Sequence, residues 1–160
     1  MKSYIVIGLG RFGAELATKL YECGEEVLAV DTNETIVDKI ADHVTRAVAA
    51  DARDLDVLEK LGTENFDRAV VAVGSDLAAS ALITMNLKTL NVPFIICKAH
   101  DDTYKDILSV IQTFRSVSLS IRPAQVSASS VIWSALISRL TSFGPVYFSK
   151  ASLTYQRLCS

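Results

Sequence analysis

The chain has 160 residues, of which 50% are hydrophobic and 21% are charged, and its 16 lysines and arginines face 18 aspartates and glutamates. This length and composition predict one principal folded domain and exclude a chain that is disordered throughout. The net charge of −2 argues against a nucleic-acid partner, because phosphate-backbone binders carry a basic surplus. The longest uncharged run, between Arg122 and Arg139, is shorter than the roughly 20 apolar residues that span a bilayer, so we expect no direct membrane insertion.

The cysteines and the amino terminus bear on the cellular compartment in which we expect the protein. Cys23, Cys97 and Cys159 are far apart and lack Cys-x-x-Cys spacing, so they predict neither a disulfide framework nor a zinc site. The first residues lead directly into a short strand-like run without the length or cleavage site of a signal peptide. Both features predict a protein of the reducing cytoplasm.

Five short apolar runs rich in β-branched residues are predicted to be buried strands. They are residues 4–7, 27–30, 47–49, 69–73 and 94–97. Their apolar character is continuous rather than alternating, as is typical of parallel strands covered on both faces.

Segments of helical period lie between these runs and predict four helices. Their apolar faces are marked by Phe12, Leu16 and Leu20, then Ile36 and Ile40, then Leu55, Leu58 and Leu61, then Leu82, Met85 and Leu90. Helix starts are indicated by possible capping side chains at Asn33, Asp54 and either Ser75 or Asp76. Left-handed helix exits are expected at Gly24 and Gly62. The alternation predicts an α/β fold, a Rossmann-like doubly wound parallel sheet.

The first predicted strand leads into a glycine-rich loop, residues 8–13 with the sequence GLGRFG. A loop that holds a dinucleotide must turn sharply, admit a pyrophosphate close to its backbone and open a helix whose free amides face the anion. Gly8, Gly10 and Gly13 have the spacing that meets these three needs. They predict a phosphate site at the start of the first helix.

An acidic residue, Asp31, closes the second predicted strand. It lies eighteen positions after Gly13, where a carboxylate accepts hydrogen bonds from ribose hydroxyls and repels a 2′-phosphate. We therefore expect a ligand with free ribose hydroxyls, which ATP, ADP and NAD(H) all carry, and not NADP. A helix cap or a simple surface acid is the alternative interpretation of Asp31.

Two residues close to these have open roles. Arg11 lies inside the glycine loop, where its guanidinium would reach the phosphates, point into solvent or pair with Glu15. Asn33 would contact the ribose or base, or cap the second helix. Both are candidate ligand contacts.

Further candidates follow the third, fourth and fifth strands. Asp51 would accept a hydrogen bond from the exocyclic amine of an adenine or cap the next helix. Gly74 and Ser75 follow the fourth strand across the switch point, where Gly74 admits a ribose or phosphate. Lys98, at the end of the fifth strand, would face the same crevice. The carboxyl ends of the strands are thus predicted to form a nucleotide crevice.

This crevice lacks the groups needed for chemistry. Hydride transfer to a carbonyl requires a proton donor and a pocket for the second substrate. His43 is expected at a helix end on the surface, and His100 near the crevice is not part of a catalytic constellation. A non-enzymatic binding module is favoured over a small NAD-dependent oxidoreductase and over a redox-sensing or transcription-regulating module of the same fold.

Four segments together resemble a known family. They are residues 5–13 (IVIGLGRFG), 26–31 (EVLAVD), 49–52 (AADA) and 70–74 (VVAVG), and the loop pair Arg11 and Phe12 is the most particular part of the match. Over residues 1–108 the chain resembles the cytoplasmic regulatory subunits, of RCK or TrkA-N type, of Ktr and Trk potassium-uptake systems.

The resemblance implies a function and a set of contacts. Such subunits bind ATP and ADP, or NAD(H), assemble as homodimers or octameric rings, and gate a membrane-embedded potassium-translocating subunit. The chain would then lie at the inner face of the cell membrane through that partner. By position in the family, the phosphates would contact Gly8, Gly10, Arg11 and Gly13, in a loop that includes Phe12. The ribose would contact Asp31 and Asn33. The adenine end would contact Asp51 and Ala52.

The chain departs from the family after residue 108. It has no aspartate or glutamate after Asp106, whereas serine occupies thirteen of the last 54 positions. Family members continue with a sixth strand and a swapped helix that completes the dimer, and neither is expected here. We predict a nucleotide-binding domain at residues 1–108 and an atypical tail at residues 109–160. The tail is expected to result from a truncated or frameshifted reading frame. The alternative is that the tail is a linker followed by a small appendage.

Overall fold

The computed structural model describes residues 1–73 and 76–99, together with the backbone of a short strand at residues 117–120. The strands are Ser3–Ile7 (β1), Glu26–Asp31 (β2), Arg46–Ala49 (β3), Arg68–Val71 (β4), Phe94–Ala99 (β5) and Val117–Ser120 (β6). All pairings are parallel, in the order β3-β2-β1-β4-β5-β6. The order runs outward from β1 in both directions, which is the doubly wound Rossmann arrangement, so the predicted fold class is confirmed.

Four α-helices lie between the strands of the described part. They are Arg11–Glu22 (α1), Glu34–Ile40 (α2), Leu55–Lys60 (α3) and Leu77–Thr89 (α4), with 3₁₀ turns at Ala41–His43 and Thr63–Asn65. None of the helices in the described ranges has the length and apolar character needed to cross a membrane.

The predicted helix boundaries are confirmed by their hydrogen bonds. Asn33, Asp54 and Asp76 each accept a hydrogen bond from a backbone amide in the first turn of the helix that follows, at 3.4, 3.0 and 3.0 Å. Gly24 and Gly62 have φ angles of +81° and +70°, so both adopt the left-handed conformation expected after a helix.

The core has two layers, one on each face of the sheet. In β1, Tyr4 and Val6 pack against α1 and α2, whereas Ile5 and Ile7 pack against α3 and α4. All four side chains are at most 3% exposed. Because both faces are covered, the carboxyl edge of the sheet is where a ligand can reach the strand ends.

The predicted buried face of α4 is wrong. Leu82 and Met85 are 44% and 53% exposed, and the buried residues are Ser80, Ile83, Thr84 and Leu87. Apolar residues occur around the whole circumference of this helix, so their spacing does not identify the inward face. The hydroxyl of Thr84 donates to the Ser80 carbonyl at 2.6 Å, which satisfies a polar group inside the core.

Strand β6 corrects the expectation that residues 109–160 contain no sixth strand. Its backbone pairs with β5, with Val117 opposite Ile96 and Ser120 opposite Ala99. This pairing satisfies backbone groups at the outer edge of β5. The sequence did not reveal the strand because half of its residues are serines, which are not among the β-branched and aromatic residues that mark strands.

Candidate functional site

The glycine loop joins β1 to α1 at the carboxyl edge of the sheet. Gly8 has a φ of +91°, and its amide donates to the Val30 carbonyl at 2.9 Å. A Cβ atom on Gly13 would lie 1.8 Å from the Gly8 carbonyl oxygen, so α1 can approach the loop only where that side chain is absent. The fold itself therefore requires glycine at positions 8 and 13.

Gly10 has no such structural reason to be glycine. Its φ of −62° and ψ of −178° are open to any residue, and a Cβ atom there would meet no heavy atom within 4 Å. The residue is exposed and is the N-cap of α1, so no side chain caps the first helical turn. Open space in front of an uncapped helix start fits a phosphate group, which the amides and the helix dipole attract.

The Asp31 carboxylate lies directly beside this loop. Its Oδ2 atom accepts a hydrogen bond from the Leu9 amide at 2.6 Å, and its Oδ1 atom accepts one from the Asn33 amide at 2.9 Å. The side chain is partly exposed, and a carboxylate oxygen can accept more than one hydrogen bond, so ribose hydroxyls could still bind. The capping alternative for Asp31 is not observed, because Asn33 caps α2.

Two cationic side chains flank the start of α1. Arg11 is exposed and, within the described residues, forms no ion pair with Glu15. The Lys98 Nζ atom lies 5.6 Å from the centroid of the Phe12 ring, which is a cation–π distance. Partial burial, together with the positive charge of Arg11, lowers the pKa of Lys98. An anion bound here would relieve the repulsion between the two cations.

Asp51 and Ala52 lie after β3, close to the crevice. The guanidinium of Arg53 donates to both carboxylate oxygens of Asp51, with a shortest distance of 2.6 Å, and the Arg53 amide donates to Oδ1 at 3.0 Å. These bonds lower the pKa of Asp51. Asp54 rather than Asp51 caps α3. An adenine amine would therefore share Asp51 with Arg53, while Ala52 is only 3% exposed.

Four other residues considered in the sequence analysis remain, and the structure describes one of them. Gly74, Ser75 and His100 lie outside the described residues. His43 is exposed at the end of the 3₁₀ turn Ala41–His43, as expected for a residue at a helix end.

Sequence reasoning missed two parts of the site. Arg53 follows Asp51 by two residues, a spacing that could have suggested the pair. The amide of Leu9 is a backbone group, so no side chain in the sequence marks it as the partner of Asp31.

A groove of about 360 Å³ lies elsewhere, between α1 and α2. It is lined by Ala14, Glu15, Thr18, Lys19, Ile36, Lys39, Ile40 and His43. None of these residues belongs to the glycine loop or to the ends of the strands. The groove is therefore separate from the crevice at the glycine loop.

Residues 4–118 match the model of the TrkA-N domain family. The Ktr system potassium uptake proteins A and C of Bacillus subtilis (strain 168) are 41% identical over 116 residues and 44% identical over 110 residues. These matches cover 72% and 69% of this chain and 52% and 50% of the relatives. The chain thus spans about half the length of the curated relatives that it matches.

Solved structures show the same fold at low identity. The TrkA-N domain of the inner membrane protein ybaL from Escherichia coli has a TM-score of 0.64 at 17% identity, covering 87% of this chain and 96% of that domain. The GsuK channel bound to NAD has a TM-score of 0.59 at 15% identity, covering 72% of this chain and 21% of the channel chain. Because the family model matches most of the chain, the resemblance to the Ktr and Trk potassium-uptake proteins is confirmed, and the chain belongs to the TrkA-N family.

Proposed function

We propose that this chain is a non-enzymatic regulatory component of a potassium-uptake system, which binds ATP and ADP or NAD(H) in the crevice at the glycine loop. Its family membership and the names of its relatives support a role in potassium uptake. The regulated partner would be a membrane-embedded potassium-translocating subunit, at the inner face of the cell membrane.

The geometry of Gly10 carries the nucleotide part of this proposal. Nothing in the described fold requires glycine there, yet the space that a side chain would occupy lies at the uncapped start of α1. A phosphate that approaches the backbone is the physical reason for keeping that space empty. The positive charges of Arg11 and Lys98 favour an anion at the same place.

Asp31 limits the class of ligand. Its carboxylate suits an adenosine with free ribose hydroxyls and disfavours a 2′-phosphate, so we infer selectivity against NADP(H). The NAD bound by the GsuK channel supports a dinucleotide in a domain of this fold. ATP and ADP satisfy the same ribose and phosphate requirements.

Control of transport requires two conformations with different ligand affinities. A ligand shifts their populations only by its differential affinity for the two states. In a homodimer or octameric ring, exposed Arg11 side chains of neighbouring subunits would share the phosphates of one nucleotide. Arg11 would then report ligand identity as well as contribute to binding.

Isothermal titration of the purified chain with ATP, ADP, NAD, NADH and NADPH tests the nucleotide site. We expect binding of at least one ligand with free ribose hydroxyls, weaker binding of NADPH, and a loss of at least about tenfold in Asp31→Ala. Asp67→Ala is the matched control, because Asp67 accepts hydrogen bonds from Ser3 at the opposite edge of the sheet. Tight NADPH binding, or no binding of any ligand, would contradict the proposal.

The regulatory part is tested separately. Potassium flux through a Ktr-type translocating subunit in liposomes should change when the chain and its preferred nucleotide are added. Arg11→Ala should reduce the affinity for ADP or ATP, and unchanged affinities for both would exclude the role of Arg11. Flux that is insensitive to the chain with every nucleotide would contradict regulation, even if binding is observed.

A further inference from the structure

The Asp31 carboxylate connects two parts of the candidate site. Oδ2 holds the amide of Leu9 inside the glycine loop at 2.6 Å, and Oδ1 holds the amide of Asn33 at the start of α2 at 2.9 Å. Hydrogen bonds to an ionised acceptor are among the stronger ones in proteins. One side chain thus fixes the phosphate loop relative to the place where the ribose is expected.

The surrounding backbone fixes Asp31 itself. Its carbonyl oxygen accepts a hydrogen bond from the Ala50 amide at 2.9 Å, and the preceding residue, Val30, accepts one from the Gly8 amide at 2.9 Å. The side chain of Leu9 is 2% exposed, so this part of the loop is also anchored in the core. The carboxylate is therefore held in place by backbone hydrogen bonds, and the loop that it contacts is anchored by the buried Leu9 side chain.

The bond to Leu9 also determines which loop amides remain for a phosphate. The Leu9 amide already donates to Asp31, and the Ala14 amide donates to the Gly10 carbonyl at 2.9 Å. A phosphate must therefore use amides between these two positions, at the start of α1. The orientation of those amides depends on a loop whose first half Asp31 holds.

We propose that Asp31 is a positioning residue for the phosphate-binding loop, in addition to accepting the ribose hydroxyls. This inference rests on the proposed nucleotide-binding function. It means that ribose recognition and phosphate recognition are coupled through one carboxylate. A substitution at Asp31 should therefore weaken the binding even of ligands that have no ribose hydroxyls.

Asparagine is the substitution that separates the two roles. The Leu9 and Asn33 amides are both donors, and a carboxylate offers each of them an oxygen. The side chain of asparagine has one oxygen and one NH₂ group, so it can accept from only one of the two amides in this arrangement. Asp31→Asn thus removes one of the two holding bonds with almost no change of volume.

The experiment compares ADP with 2′,3′-dideoxy-ADP, which lacks both ribose hydroxyls. Each is titrated into the wild type, Asp31→Asn and the control Asp67→Asn. We expect Asp31→Asn to bind the dideoxy nucleotide about tenfold more weakly than the wild type, because the bond to the loop is either lost or no longer charge-assisted. Asp67→Asn should bind both nucleotides like the wild type.

The outcomes separate this inference from the proposed function. If the wild type binds neither these nucleotides nor NAD(H), the proposed function is wrong and this inference with it. If the wild type binds ADP but Asp31→Asn and the wild type have equal affinity for the dideoxy nucleotide, Asp31 serves the ribose alone and only this inference is overturned.

Amide hydrogen exchange provides a second test, and its first part uses only the wild type. In the nucleotide-free wild type, the Leu9 amide should exchange much more slowly than the amide of the exposed Gly10. In Asp31→Ala, which removes both acceptor oxygens, exchange at Leu9 should accelerate while the amides of β1 remain unchanged, which distinguishes a local effect from global destabilisation. Equal exchange rates at Leu9 and Gly10 in the wild type would overturn the inference.

Discussion

Gly10 and Gly13 belong to one loop but are glycines for different reasons. At Gly13 a Cβ atom would collide with the backbone of Gly8, whereas at Gly10 it would point into open space. Motif spacing alone treats the two positions alike. The structure thus shows that the fold requires glycine at position 13 but not at position 10, where we propose that the ligand does.

The first prediction concerns this pair of glycines. Gly10→Ala should keep the free energy of unfolding within about 1 kcal/mol of the wild type, since only the capping preference changes, and should weaken ADP binding at least about tenfold. Gly13→Ala should unfold the domain or destabilise it severely. Urea denaturation and calorimetric titration measure both effects, and a Gly10→Ala variant with normal ADP affinity would contradict this account of the loop.

The second prediction concerns the pH dependence of stability and rests on Tyr4, near the start of β1. The residue is fully buried, and burial raises the pKa of its phenol from 10.0 to about 12. The folded protein thus holds the phenol proton more tightly than the unfolded chain does. The associated stability is fully present below pH 10 and is lost as the pH rises toward 12.

Tyr4→Phe should remove this contribution. Above pH 10 the free energy of unfolding should therefore fall less steeply in the variant than in the wild type, as measured by urea denaturation at a series of pH values. Parallel pH profiles of the two proteins would show that the ionisation of Tyr4 is not linked to unfolding.

For helix α4, the sequence pattern predicts the helix but does not identify which of its faces packs against the sheet. Its existence and a cap at Ser75 or Asp76 follow from the sequence, and the structure identifies Asp76 as the cap. Its inward face does not follow from the sequence. Leu82 and Met85 point outward, while Thr84 faces inward with its hydroxyl 3.0 Å from the buried Cys97 Sγ atom. A threonine that bonds to its own helix backbone is compatible with burial, and hydropathy does not record that bond.

The third prediction uses two leucines of α4 as a matched pair. Leu87→Ala should cost about 3 kcal/mol of unfolding free energy, because its fully buried side chain would leave a cavity. Leu82→Ala should stay within about 0.5 kcal/mol of the wild type, because Leu82 is 44% exposed and leaves no buried cavity. Equal costs in urea denaturation would contradict the orientation of α4.

At the scale of the whole sheet, the sequence predicted the first five strands because their buried runs are continuous and regularly spaced. It did not predict β6, whose serines carry no strand signal. In the candidate site, the positions of the glycines and of Asp31 at the ends of β1 and β2 were predictable, because the motif spacing follows the strand pattern. Two contacts were not predictable, because they depend on tertiary geometry. They are the hydrogen bond from the Leu9 amide to Asp31 and the ion pair of Arg53 with Asp51.

The composition change after residue 108 leads to the fourth prediction. The family match extends to residue 118, while the absence of acidic residues begins after Asp106. If residues 109–160 are out of frame, the gene should contain a single insertion or deletion near codon 109, and the adjacent frame should restore a Ktr-like sequence with acidic residues. Sequencing the gene tests this, and an intact frame with no such alternative would refute it.

The central claim is that a nucleotide binds at the glycine loop with its ribose at Asp31. Amide chemical-shift mapping of the isotope-labelled chain during titration with ADP, ATP, NAD or NADH tests it most directly. We predict that the changes concentrate at residues 9–13 and 31–33. Changes confined to the groove between α1 and α2, or none with any of these ligands, would contradict it.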